Sequence, residues 1–181
     1  MIRQPLVTST HTDIAVAVCA GGGPLLAALG KHFDASGDRP DPRSGAFGET
    51  VSVLAATSLV LPAFQMAPQT YQAAAAEAYV LVDAIRLFEK ATGRLPRHVV
   101  VLHARGENAL LQAGGAILRT LVNYTTSHKM FHPISVNLVR YLPTNQGLRR
   151  AADAAAALTS GLIDHMRGQA LDLVDLPEAL P

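Results

Sequence analysis

Two groups of residues in this 181-residue chain have types and spacing that could do chemistry. Gly21, Gly22 and Gly23 follow the apolar run 14–19 and precede Pro24, the order of a strand, a tight turn and a helix start. In such a turn backbone N–H groups can approach the phosphates of a dinucleotide, although a plain strand-to-helix turn uses the same glycines. His98 and His103 flank a second apolar run, and His128 and His132 stand four apart at the end of a helical pattern, a spacing that could hold zinc. Pro133 limits the helix there and neither a His-Glu-x-x-His pattern nor a third ligand lies close by, so no metal is expected. Cys19, the only cysteine, excludes an intrachain disulfide framework and reads as a small core residue in a reducing compartment.

The elements that must position these groups alternate. Apolar strand patterns fall at 14–19, 51–56, 98–102, 134–139 and 170–174, and helical patterns at 24–33, 69–92, 107–129 and 145–162. The helix over 69–92 has apolar positions at Tyr71, Ala74, Ala75, Ala78, Leu81, Val82, Ile85 and Phe88 and stops at Gly93. Residues 34–49, rich in Gly, Pro and charge, form a loop. Each strand-to-strand connection is then a crossover, which predicts a parallel sheet covered on both faces: a three-layer α/β fold in one domain spanning 1–181.

Composition narrows the function classes. Hydrophobic residues make up 49% and charged ones 16%, enough for a sizeable core, and the formal charge is only +1. That balance argues against a nucleic-acid footprint or an anionic membrane surface, and the absence of Trp argues against a base-stacking platform. The longest apolar run, 51–64, is broken by Ser52, Thr57, Ser58 and Pro62 and is shorter than the roughly 18–20 residues that span a bilayer. Arg3 lies too far from the short run 14–20 for a secretory signal, so a soluble cytoplasmic protein is expected.

From Val51 to Asp172 the chain resembles the C-terminal two-thirds of a short-chain dehydrogenase/reductase, nearest to the 3-oxoacyl-acyl-carrier-protein reductases. The resemblance lies in Ile134-Ser135-Val136-Asn137-Leu138-Val139, similar to the family's Ile-Arg-Val-Asn strand. It continues in Leu158-Thr159-Ser160-Gly161, in Gly168-Gln169-Ala170-Leu171-Asp172, and in Arg97-His98-Val99-Val100-Val101-Leu102 at the place of an earlier family strand. The resemblance implies a Rossmann-like fold with a reduced parallel sheet of about five strands, lacking the second and third family strands.

The departures bear on function. The family's Tyr-x-x-x-Lys pair falls at Leu111 and Gly115, so the phenol that donates the proton and the amine that tunes it are both missing. Tyr124, with His128 or Lys129 following, is a substitute acid about three helical turns too late, and His103 stands near the family's Ser position. Later family glycines fall near Leu25 and Ala27, and the substrate lid is reduced to Arg140-Tyr141-Leu142-Pro143-Thr144. No cofactor is therefore expected, Gly21–Gly23 being a vestigial turn, with NAD(P) binding as the alternative.

What is kept are the two long helices, which in the resembled family pair with those of a second subunit. The resemblance and the small residues point to an interface through Ala74, Ala75, Ala78, Val82, Gly115, Ala116 and Arg119. Two glycines mid-helix, Gly114 and Gly115, cost about 1 kcal/mol each against Ala, which calls for a packing reason. The expectation is a catalytically degenerate reductase-like partner subunit of an intact ketoreductase in fatty-acid or polyketide-type biosynthesis, or a self-associating one. The alternative is an NAD(P)-dependent or non-redox enzyme with a relocated site.

Overall fold

A computed structural model describes residues 6–7, 15–18, 24–29, 32, 57–64, 66–127, 134–159 and 170–172. Strands β1 (Leu6–Val7), β2 (Ala15–Val18), β3 (Ser58–Ala63), β4 (His98–Ala104), β5 (Ser135–Tyr141) and β6 (Ala170–Asp172) form one sheet in chain order. Helices are α1 (Pro24–Leu29), α2 (Tyr71–Thr92), α3 (Ala109–Ser127) and α4 (Asn145–Thr159). β1 pairs antiparallel to β2, and every other neighbour is parallel. The α/β class expected from the alternation is present.

Local chemistry sets the helix limits. Thr70 caps α2 by accepting the Ala73 N–H at 3.0 Å, and Gly93 ends it at φ 69°, its N–H reaching the Glu89 carbonyl at 2.8 Å. Asn108 Oδ1 accepts the Leu110 N–H at 2.8 Å at the start of α3, and Thr144 Oγ1 accepts the Gly147 N–H at 3.1 Å at the start of α4.

Period-two alternation divides the core. Leu59, Leu61, Val99, Val101, Val136 and Leu138 pack under α2 and α3, with Leu81, Ile85, Phe88 and Leu118 above them. Val60, Val100, Leu102, Val139 and Tyr141 pack on the other face under α1 and α4. Burial of each large apolar side chain contributes about 1.5–3 kcal/mol. It also pushes the Tyr141 hydroxyl up to about 12 by desolvation. His32 Nε2 and Asp153 Oδ1, 2.6 Å apart, join the turn after α1 to α4.

From β3 to β6 the chain steps across the sheet in one direction, yet α2 and α3 cover one face and α4 the other. Parallel crossovers that step the same way over opposite faces have opposite hands. The β5–α4–β6 connection and the two before it therefore cannot all obey the right-handed rule.

Two expectations need correction. The second predicted strand, 51–56, lies outside the described residues, and the strand that pairs with β4 is Ser58–Ala63. Apolar residues run through 51–64, so periodicity could not locate the strand within the run, and Pro62 argued against its C-terminal part. Pairing with β2 ends at Val60, so Pro62 stands beyond that neighbour. The antiparallel β1 was not expected from the sequence. Calls on Gly21–Gly23, Cys19, His128, Lys129, His132 and the loop 34–49 lie outside the described residues.

Candidate functional site

β4 and β5 deliver His103 and Arg140 side by side as register partners at their C-terminal ends, both on the α2/α3 face. The Arg105 N–H, 2.7 Å from the Tyr141 carbonyl, ties the chain leaving β4 to the end of β5. A cavity of about 560 Å³ opens between these strand ends and the first half of α3. Its wall includes His103, Arg105, Arg140, Leu111, Gly115 and Arg119. The cavity lies at the carboxyl ends of the strands, the end of an open α/β sheet at which ligands bind.

Close packing builds the floor. Phe64, the first residue after β3, takes φ 54°, a left-handed conformation that costs a side chain other than glycine. Its N–H donates to Glu77 Oε1 of α2 at 3.0 Å, and its ring is fully buried. That ring lies 4.9 Å from the His103 ring, tilted by 40°. The two glycines of α3 fit against this pair. A Cβ at Gly114 would stand 2.5 Å from the Phe64 ring, and one at Gly115 would stand 2.7 Å from His103 Nε2. Their packing reason lies inside the chain.

His103 is 4% exposed, and neither of its ring nitrogens has a hydrogen-bond partner. Desolvation holds its pKa below the ordinary 6.5, and the positive charge of Arg140 beside it acts in the same direction. On acidification the unfolded chain therefore takes up a proton at His103 before the folded chain does. The stabilisation is complete above about pH 6.5 and is lost as pH falls toward the lower folded value. Denaturant midpoints measured from about pH 7.5 to 5 should fall less steeply in His103→Asn than in the wild type. Equal slopes would mean that folding leaves the His103 pKa where it is in the unfolded chain.

The structure sorts the residues expected from the sequence. His103, Gly115, Ala116 and Arg119 all line the cavity, as does Leu111, and Tyr124 does not. Tyr124 is 52% exposed on α3, nine residues past Gly115. Ala74 and Ala78 are fully buried in this chain's own core, so they have no surface to offer a second chain. The reason is the helical period, which marks a face as buried without saying which partner buries it. Val82 is half-buried against the same core and Ala75 is half-buried. Leu25 turns into the core beneath α1 and Ala27 is exposed. Arg105 and Arg140 were missed as site residues; their positions just after and within strand ends were the available signal. Among the described residues no group of three His, Cys, Asp or Glu side chains could hold a metal, and no helix is long and apolar enough to cross a membrane. No protein-family model matches this chain, and no curated protein matches it.

Proposed function

We propose that this chain is a degenerate, truncated relative of the short-chain reductases that serves as a non-catalytic partner subunit of an intact ketoreductase in fatty-acid or polyketide-type biosynthesis. The observation that carries the reading is the pair Leu111 and Gly115, which face the strand-end cavity at the positions matched to the family's Tyr and Lys. A leucine and a glycine have no proton to donate to a carbonyl oxygen. General acid catalysis contributes about 10²–10⁴-fold, so its removal is enough to silence a reductase.

The surface supports the subunit role. Three of the four tyrosines are exposed on the two long helices: Tyr71 at 65%, Tyr79 at 54% and Tyr124 at 52%. Tyrosine combines apolar area with a hydroxyl and is enriched where proteins meet. The proposed contact uses the outward faces of α2 and α3, with Tyr79 and Tyr124 in place of the buried Ala74 and Ala78. A reduced Rossmann-like layout without the second and third family strands and a cytoplasmic location belong to the same proposal.

The test is catalytic. The purified chain should give no NADPH- or NADH-dependent reduction of a β-keto thioester above the enzyme-free rate, and Tyr124→Phe should change nothing. Turnover by the chain alone would favour the second reading, an enzyme of the same superfamily with a relocated site. His103 is the residue on which that reading rests, since its imidazole is the titratable group buried at the cavity.

A further inference from the structure

We infer that residues 107–113, at the start of α3, are a gate on the strand-end cavity, held shut by the uncharged His103 ring and opened by acid. The inference goes beyond the subunit reading and does not depend on it. Glycines frame the segment, Gly106 before it and Gly114 and Gly115 after it, and Leu111 within it lines the cavity. Upstream the chain is fixed by the Arg105 N–H, which donates to the Tyr141 carbonyl. Downstream α3 is anchored by Leu118, Val122 and Thr125, all buried. From 105 to 117 the only buried residue is Gly114, which brings no side chain, while Leu110, Leu111 and Ile117 are half-buried. A stretch with so few buried apolar contacts is where a fold opens first. Its capping bonds are internal, the Asn108 side chain accepting the Leu110 N–H and the Asn108 carbonyl the Gln112 N–H, so the turn can move as a unit.

The latch is the packing of His103. A Cβ on Gly115 would stand 2.7 Å from His103 Nε2, so the ring packs directly against the second of the two glycine hinges. Its other side meets the Phe64 ring, which is held at φ 54°. Both ring nitrogens are buried and neither has a hydrogen-bond partner. A neutral imidazole in that position leaves one N–H unsatisfied; a charged one leaves two and must also be hydrated.

The surroundings supply no acceptor for that charge while the gate is shut. The charged side chains that line the cavity with His103 are Arg105 after β4, Arg119 on α3 and Arg140 on β5, and a guanidinium cannot accept a proton from an imidazolium. On the side of β3 and α2, the Glu77 carboxylate accepts the Phe64 N–H at 3.0 Å. Water therefore has to reach the ring. Phe64 and the strands are core, so the least costly path is to lift the glycine-framed turn, which has no buried side chain to expose. Lifting it widens the cavity of about 560 Å³ along its α3 side.

Hydrogen exchange of the full chain at about pH 7.5 and about pH 5 tests this, read as protection factors so that the intrinsic pH dependence cancels. Peptides covering 106–117 should lose protection several-fold at the lower pH, while those from α2 and α4 keep theirs. The ceiling is about thirtyfold, because the lower pH is about 1.5 pH units below the ordinary imidazole value of 6.5 that the opened state regains. His103→Phe and His103→Gln remove the charge and still occupy the site. In whichever of them keeps the wild-type circular dichroism the loss should disappear, and with neither folded the wild-type pattern decides. Equal loss in α2, α3 and α4, no loss in 106–117, or the wild-type loss persisting in a folded His103 variant would each overturn the inference.

Discussion

Gly115→Ala is expected to destabilise this protein by about 1–3 kcal/mol, although glycine to alanine inside a helix ordinarily stabilises by about 1 kcal/mol. The new Cβ would stand 2.7 Å from His103 Nε2, closer than such atoms approach in real proteins. The imidazole has little room to retreat, because it is buried and lies against the Phe64 ring, which is itself held at an unfavourable φ. Removing the obstruction should reverse the sign. In a His103→Ala background, Gly115→Ala should stabilise by up to about 1 kcal/mol, since the helix gain remains and the methyl group enters space the ring has left. Urea midpoints of the four proteins close this double-mutant cycle. A Gly115→Ala protein as stable as the wild type would show that the ring moves aside freely, and the cavity wall would then not be the rigid one described.

The second large effect concerns association. Tyr79→Glu should leave the isolated chain folded, because Tyr79 is 54% exposed and surface substitutions usually cost within about 0.5 kcal/mol. If α2 and α3 dock on a partner over an area on the order of 2,000 Å², the same substitution buries an unpaired carboxylate. That costs several kcal/mol, so binding should weaken by about a hundredfold or more. Ala75 and Ala116 are poorer places for the charge. Ala75 is half-buried in the chain, and Ala116 lines the cavity, so either would mix folding or ligand effects with association. Circular dichroism identical to wild type with unchanged association would remove Tyr79 from any interface.

Periodicity and punctuation carried much of the architecture in the sequence. The helix expected over 69–92 is observed as Tyr71–Thr92, because Thr70 and Gly93 are strong cap signals and the apolar spacing between them is regular. β3 at Ser58–Ala63 was missed because the run 51–64 is apolar on both sides of Thr57 and Ser58 and has no mark for where pairing starts. The alanines of α2 were legible as a buried face but not as a face buried by this chain's own sheet and α3. Glycines 114 and 115 signalled close packing, and the sequence could not say that the partners are Phe64 and His103, 50 and 12 residues away. Nothing in a phenylalanine announces a positive φ, since that conformation is imposed by tertiary contacts. The convergence of Arg105, Arg119 and Arg140 was hidden for a similar reason: it depends on the register of β4 with β5 and on where α3 crosses them.

The subunit role is tested most directly by light scattering on this chain co-expressed with an intact Tyr-x-x-x-Lys reductase of the same genome. The expected result is one species whose mass requires both chains, and which separates into its components when Tyr79 is replaced by Glu. Two separate peaks, the reductase in one and this chain as a folded monomer in the other, would contradict the account.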